Sequence, residues 1–166
     1  MSQFMLSPLE GKSVWLGGLG VDFKIAGEQT GGLFSIVEHP IDPGILVPPH
    51  THTREDEFSY VLEGEVGARI GDQVLQATPG CYIIKPRGIL HTFWNAGTKR
   101  ARIIEIISPA GFEKYFMELA DLFGGDGPPD FEKIAQLANR YGLTLDMNWI
   151  PELTAKYNLK LLGQAG

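Results

Sequence analysis

Four side chains in this sequence have the types and spacing to hold a divalent metal ion. His50 and His52 flank one threonine in PPHTHTREDEFSYVLEG, and His91 stands in PGCYIIKPRGILHTFWN. In an extended chain, residues i and i+2 point to the same side with α-carbons roughly 6.5 Å apart, so two imidazole arms can converge on one ion. Glu55, Asp56 and Glu57 compete to add a carboxylate. Strand parity does not separate Glu55 from Glu57, although Glu55 falls in a polar turn and Glu57 opens the next strand. Three imidazoles and one carboxylate suit iron, manganese, nickel, copper or zinc as a single divalent ion. An octahedral ion so held keeps one or two positions open for substrate or dioxygen.

The elements that must position these groups are short strands. β-favouring segments near 13–16, 21–26, 32–39, 45–50, 57–63, 66–70, 73–78, 81–84, 90–95 and 102–108 are separated by turn signals such as Asp42-Pro43-Gly44, Gly71-Asp72 and Pro86-Arg87-Gly88. The connections are too short for crossover helices, so the expected fold is all-β and antiparallel, a sandwich or barrel. After Pro109 the apolar period changes. Phe112, Tyr115, Phe116, Leu119, Leu122 and Phe123 recur at helical spacing up to Gly124-Gly125. Gly127-Pro128-Pro129 reads as a linker, and Asp130 as the N-cap of a second helix that Gly142 ends. Pro151 suits the first turn of a third, short helix reaching Tyr157. The expected division is a barrel with an N-terminal arm over residues 1–110. Residues 111–166 are a helical extension packed on the barrel or on a partner subunit.

Composition narrows the function. The 166 residues carry a net charge of −6 with no basic stripe, which argues against nucleic acid as a partner. No apolar run is long enough for a membrane span, and the first residues do not read as a signal peptide. The single cysteine, Cys81, cannot form an internal disulfide and reads as a small buried hydrophobe, with cytoplasmic residence expected. His39 reads as a surface or packing residue. Gly17, Gly18 and Gly20 form no nucleotide-binding pattern and are hairpin glycines.

Around the histidines the sequence resembles the two motifs of the cupin superfamily. Gly44, five residues, His50-Thr51-His52, four residues, Glu57, six residues and Gly64 match the first. Gly80, five residues, Pro86-Arg87-Gly88, two residues, His91, three residues and Asn95 match the second. The resemblance implies a double-stranded β-helix, the jelly-roll barrel, with His50, His52, Glu57 and His91 as metal ligands. Cupins of this kind often dimerise, so a homodimer is expected. The wording of both motifs is similar to single-domain cupins of the quercetin dioxygenase-like group. That likeness implies a dioxygenase-type oxidoreductase in which Glu57 can also serve as a catalytic base. Two further readings stand beside it: a metal-dependent isomerase or lyase that consumes no oxygen, and a small-molecule-binding cupin without catalysis.

The expected pocket follows from strand parity and apolar character. Phe93 shares the face of His91, while Trp94 has the opposite parity and packs outside the sheet. Ser59 and Val61 share the face of Glu57, and Phe34, Ile36, Leu46 and Ile106 are further candidates for the lining. Arg54, Arg69, Lys85 and Arg87 are possible carboxylate contacts whose default place is the solvated surface. Such a cavity suits a small aromatic or enol-bearing molecule better than a polyanion.

Overall fold

The computed structural model describes residues 4–124 and 129–164; Gly125, Gly127 and Pro128 of the expected helix stop and linker lie outside them. The chain forms β1 (Ser13–Trp15), β2 (Gly20–Ile25), β3 (Ser35–Ile41), β4 (Ile45–Leu46), β5 (His50–His52), β6 (Asp56–Glu63), β7 (Val66–Ile70), β8 (Gln73–Ala77), β9 (Tyr82–Lys85), β10 (His91–Asn95) and β11 (Ala101–Ser108). Then come α1 (Glu113–Phe123), α2 (Phe131–Arg140), β12 (Leu143–Leu145), α3 (Ile150–Tyr157) and β13 (Lys160–Leu161).

Two sheets face each other as a β-barrel of the jelly-roll type. One runs β1-β2-β3-β11-β6-β9. The other runs β12-β5-β10-β4-β13, with β7 paired to β10 and β8 to β7. All pairs are antiparallel except β13 with β4. Alternation decides which side chains enter the barrel. In β3, Ser35, Val37, His39 and Ile41 are buried and the residues between them half-buried; β11 repeats this with Ala101, Ile103, Glu105 and Ile107. Ile36 and Ile106 therefore sit on the outer face, paired with each other. Phe34, just before β3, is half-buried and outside the barrel lining. All three were expected in the pocket, and register places them elsewhere, because a shift of one residue exchanges the faces of a strand.

The segment read as one strand over 45–50 breaks at Val47–Pro49 into β4 and β5. Pro48 and Pro49 have no N–H to offer a ladder, so pairing stops there and resumes at His50. In β10 all five residues are buried, because α3 and β13 cover its outer side. There Trp94 packs with Leu46, Leu153, Leu159 and Leu161, and its ring lies 5.0 Å from that of Tyr157. Leu46 therefore belongs to this outer cluster, not to the barrel cavity. The indole lies directly over Gly67, where an added Cβ would stand 2.1 Å from Trp94 Cε2.

The extension is mainly helical, as the period implies, yet it also joins the barrel. β12 extends the second sheet beside β5, with Leu143 opposite His52 and Leu145 opposite His50. Strands of two or three residues carry no readable period, so pairing alone reveals β12 and β13. Asp130 caps α2 by accepting from the backbone N–H groups of Glu132 (3.1 Å) and Lys133 (3.2 Å). Gly142 follows the helix in the left-handed region at φ 69°. α1 buries Tyr115, Phe116 and Leu119, following Phe112, against one end of the barrel. Burying each such side chain contributes about 1.5–3 kcal/mol.

Candidate metal centre

Sheet register brings the quartet together. His91 on β10 lies directly across from His50 on β5, and their ring centroids are 4.5 Å apart. His52, two residues along β5, turns to the same side, with its ring 5.1 Å from that of His50. Glu57 enters from the opposing sheet on β6, beside Ser59 and Val61 on the inward face. One ligand atom from each of His50, His52, Glu57 and His91 lies within 4.8 Å of all the others, and all four residues are buried.

The donor set fits a metal ion. Each Nδ1 is already engaged: His50 with the Pro48 carbonyl (2.7 Å), His91 with the Ile89 carbonyl (2.9 Å) and His52 with Glu55 Oε2 (3.2 Å). An imidazole that donates through Nδ1 presents an unprotonated Nε2 to the site. Nε2 of His52 and Nε2 of His91 are buried without any hydrogen-bond partner, each 3.3 Å from an oxygen of Glu57. Two orphaned nitrogens aimed at one carboxylate are costly in a folded protein unless a cation sits among them.

The two carboxylates left open by parity have separate places. Glu57 faces the quartet, while Glu55 turns inward from its turn and orients His52 from behind. Without a metal, burial alone would lower the pKa of His52, but Glu57 and Glu55 outweigh it and raise it to about 9. His50 has the opposite fate, since burial and the neighbouring imidazoles hold it well below its ordinary value.

Beneath the quartet lies a charge network centred on Lys85, whose expected default place was the solvated surface. Lys85 is fully buried, with Nζ 3.3 Å from Glu57 Oε2 and 2.6 Å from Glu105 Oε2. Ser59 donates to Glu105 (3.0 Å). Burial would raise Glu57, yet Lys85 and His52 pull it well below the usual carboxylate range. Glu105 goes the other way: burial, helped by Glu57, outweighs Lys85 and holds it up at about 7. Parity gave only part of the signal, a face shared with apolar residues, and register decided that this face is inward. Lys85 alternates with Ile83 along β9, and Glu105 sits between Ile103 and Ile107 on the inward face of β11.

A cavity of about 90 Å³ adjoins the quartet and is lined by His50, His52 and Glu57. Leu16, Leu19, Val47 and Phe93 contribute from the barrel. The other walls come from the extension: Phe112, Tyr115, Phe116 and Leu119 around α1, Ile134 from α2, then Leu143 and Met147. Phe112 touches the site itself, its ring 4.3 Å from that of His52. Phe93 lines the cavity as expected. Ser59 and Val61 face inward but do not line it: Ser59 is bonded to Glu105, and Val61 belongs to the core. The lining from the extension was missed because a helical period shows that a face is apolar and not what it covers. Arg54, Arg69 and Arg87 lie outside the cavity lining; Arg87 pairs with Asp56 (2.7 Å) and Arg69 with Glu152 (3.0 Å). Cys81, expected to be buried, is exposed at the turn before β9. His39, by contrast, lines the cavity.

Comparison with known proteins agrees with this architecture. Residues 38–107 match the cupin domain family, Cupin_2, and so span both histidine motifs. The chain is similar to germin-like protein subfamily T member 2 of Arabidopsis thaliana, at 38% identity over 37% of this chain and 30% of that protein. The chain spans only 30–40% of the lengths of the first curated relatives it matches. Among solved structures it is similar to KdgF from Halomonas sp., with a TM-score of 0.60, 18% identity, and coverage of 69% of this chain and 99% of that one. It is also similar to the polyketide cyclase RemF from Streptomyces resistomycificus, with a TM-score of 0.55, 24% identity, and coverage of 64% and 80%. The domain match supports the cupin superfamily over residues 38–107, the solved structures share the barrel fold, and the buried quartet could hold a metal ion. Among the described residues no helix is long and apolar enough to cross a membrane.

Proposed function

We propose that this chain is a mononuclear metal-dependent enzyme acting on a small, largely apolar organic molecule, with dioxygenase-type oxidation as the leading reaction. The observation that carries the reading is the junction of a buried three-histidine, one-glutamate quartet with an apolar cavity. A divalent metal held by His50, His52, Glu57 and His91 would supply Lewis acidity and a binding position for a substrate oxygen or dioxygen. The protein's part is to exclude water, to orient the imidazoles through Pro48, Glu55 and Ile89, and to hold Glu57 anionic through Lys85. So restrained, Glu57 is better suited to ligation than to service as a mobile base. Cavity size also narrows the substrate. About 90 Å³ is well below the roughly 300 Å³ or more of typical drug-sized sites, which favours a substrate smaller than a flavonol.

Elemental analysis of natively purified protein, with oxygen uptake on small enediols, tests the proposal. One first-row metal per chain and oxygen-dependent turnover are expected. Turnover under strict anaerobiosis would favour the second reading, a non-oxidative isomerisation or ring closure, which the aromatic cavity walls and the fold likeness to a polyketide cyclase support. Tight metal-dependent binding without turnover would favour a binding protein. A homodimer is part of the same proposal, supported by the exposed Phe58, Tyr82 and Ile84 on β6 and the edge strand β9. Sedimentation of the purified chain tests it. Cytoplasmic residence is proposed with it, supported by the free Cys81.

A further inference from the structure

The fourth histidine is built into the same cavity. His39 projects inward from β3, is 2% exposed, and lines the space shared by His50, His52 and Glu57. Its ring is wedged against Phe116 at 5.3 Å, edge to face, and lies 6.3 Å from Phe93. Nδ1 is bonded at 2.8 Å to the carbonyl of Gly20, which is itself no part of the cavity wall. Burial lowers the pKa of His39 to about 4, so the ring is neutral at pH 7 and carries one proton. A carbonyl can only accept, so that proton is on Nδ1 and Nε2 is a lone-pair acceptor. Among the described residues nothing donates to Nε2. A lone pair on a residue that lines the cavity, with no protein donor, is open to a ligand that donates to it.

The other walls restrict what that ligand can be. Among the described residues no arginine or lysine lines the cavity, and the nearby Lys85 is committed to Glu57 and Glu105. An anionic occupant would lack a protein counter-charge. Apart from the quartet and His39, the polar side chains of the lining are Glu105, which Ser59 and Lys85 already engage, and Tyr115. The volume, about 90 Å³, is smaller than the roughly 150 Å³ that holds benzene. A five-membered ring or a short branched chain matches it better than a bicyclic one.

We propose that His39 is a substrate-positioning residue: its Nε2 accepts a hydrogen bond from a hydroxyl or N–H of a small, uncharged, mostly apolar substrate and aims that substrate at the quartet. This rests on the reading of the quartet as the reactive centre, but the hydrogen bond itself requires no metal. Sites built to hydrogen-bond a donor discriminate strongly against analogues lacking it.

Pyrrole and furan test the proposal, being five-membered rings of like size that differ in one N–H donor. Their binding is measured by NMR titration of the full chain, once after metal removal by chelator and once after zinc loading. Pyrrole is expected to bind at least about 10-fold more tightly than furan in both forms. His39→Leu should abolish that preference and leave furan affinity within about threefold, while His39→Gln, which keeps an acceptor, should retain most of it. Should the leucine variant fail to fold, the wild-type ¹⁵N resonance of His39 Nε2 gives the answer, because it moves when the lone pair accepts a hydrogen bond. Equal binding of the two rings, binding of neither, a preference that survives His39→Leu, or an Nε2 resonance unmoved by saturating pyrrole would each overturn the assignment. Failure of the metal reading looks different: the protein would take up no metal while the pyrrole preference persists.

Discussion

Lys85 Nζ lies between two buried carboxylates, 3.3 Å from Glu57 Oε2 and 2.6 Å from Glu105 Oε2. One ammonium thus serves a residue of the metal quartet and a residue of the barrel floor. Its own pKa is raised, since burial would lower it but Glu105 and Glu57 prevail. Holding Glu57 from behind leaves the quartet with an anionic, positioned carboxylate whether or not a metal is bound.

Removing that ammonium should be costly. Lys85→Met strands Glu57 and Glu105 side by side in the core, and breaking a buried pair in this way costs about 3–5 kcal/mol. Denaturant unfolding should register the loss at neutral pH. The double variant Lys85→Met with Glu105→Gln, which also removes the second charge, should recover more than half of it. A double variant no more stable than the single one would show that Lys85 acts through packing alone.

Glu55 and Glu57 should separate cleanly in metal affinity. Glu55→Gln leaves every proposed ligand in place but weakens the partner of His52 Nδ1, so affinity should fall about 10–100-fold. Glu57→Gln removes the only carboxylate of the quartet and should cost more. Competition against a chromophoric chelator measures both. Equal losses would mean that the two carboxylates share one role.

His39 should make stability pH-dependent. Its folded pKa is about 4 against an ordinary 6.5, because burial penalises the charged ring. Between those values the unfolded chain binds the additional proton, so stability rises with pH through this window and falls as pH drops through it. His39→Gln removes this linkage. Relative to the variant, the wild type should lose on the order of 3 kcal/mol between pH 6.5 and pH 4, and nothing further below. Parallel unfolding curves at stepped pH decide the matter; a constant difference between the two proteins contradicts it.

Gly67→Ala should disturb the outer face of β10. The new methyl would stand 2.1 Å from the Trp94 ring, which is itself packed under α3 and β13. Overpacking of this kind costs about 1–3 kcal/mol or more, and the tryptophan fluorescence should shift as the indole moves. An unchanged spectrum with unchanged stability would show that α3 yields freely. The quartet lies on the other face of the sheet, so metal uptake should persist.

The residues themselves announced a good part of this protein. The HxH spacing, the turn glycines and prolines, and the switch of period after Pro109 are local signals. They suffice for an antiparallel barrel, three helices and the shared side of His50 and His52, because strand parity and helical period are properties of the chain alone; register across the sheet brings His91 to them. Parity alone left Glu55 and Glu57 open; the motif resemblance pointed to Glu57, and the tertiary structure shows Glu57 facing the quartet with Glu55 behind His52. Only it placed Lys85, Glu105 and His39 inside the barrel and Ile36 and Ile106 outside, because which face of a strand is inward depends on cross-strand register. It alone showed that α1 and β12 help wall the cavity. The apolar face of a helix declares that it must be buried, and the partner it finds is settled by the packing of the whole chain.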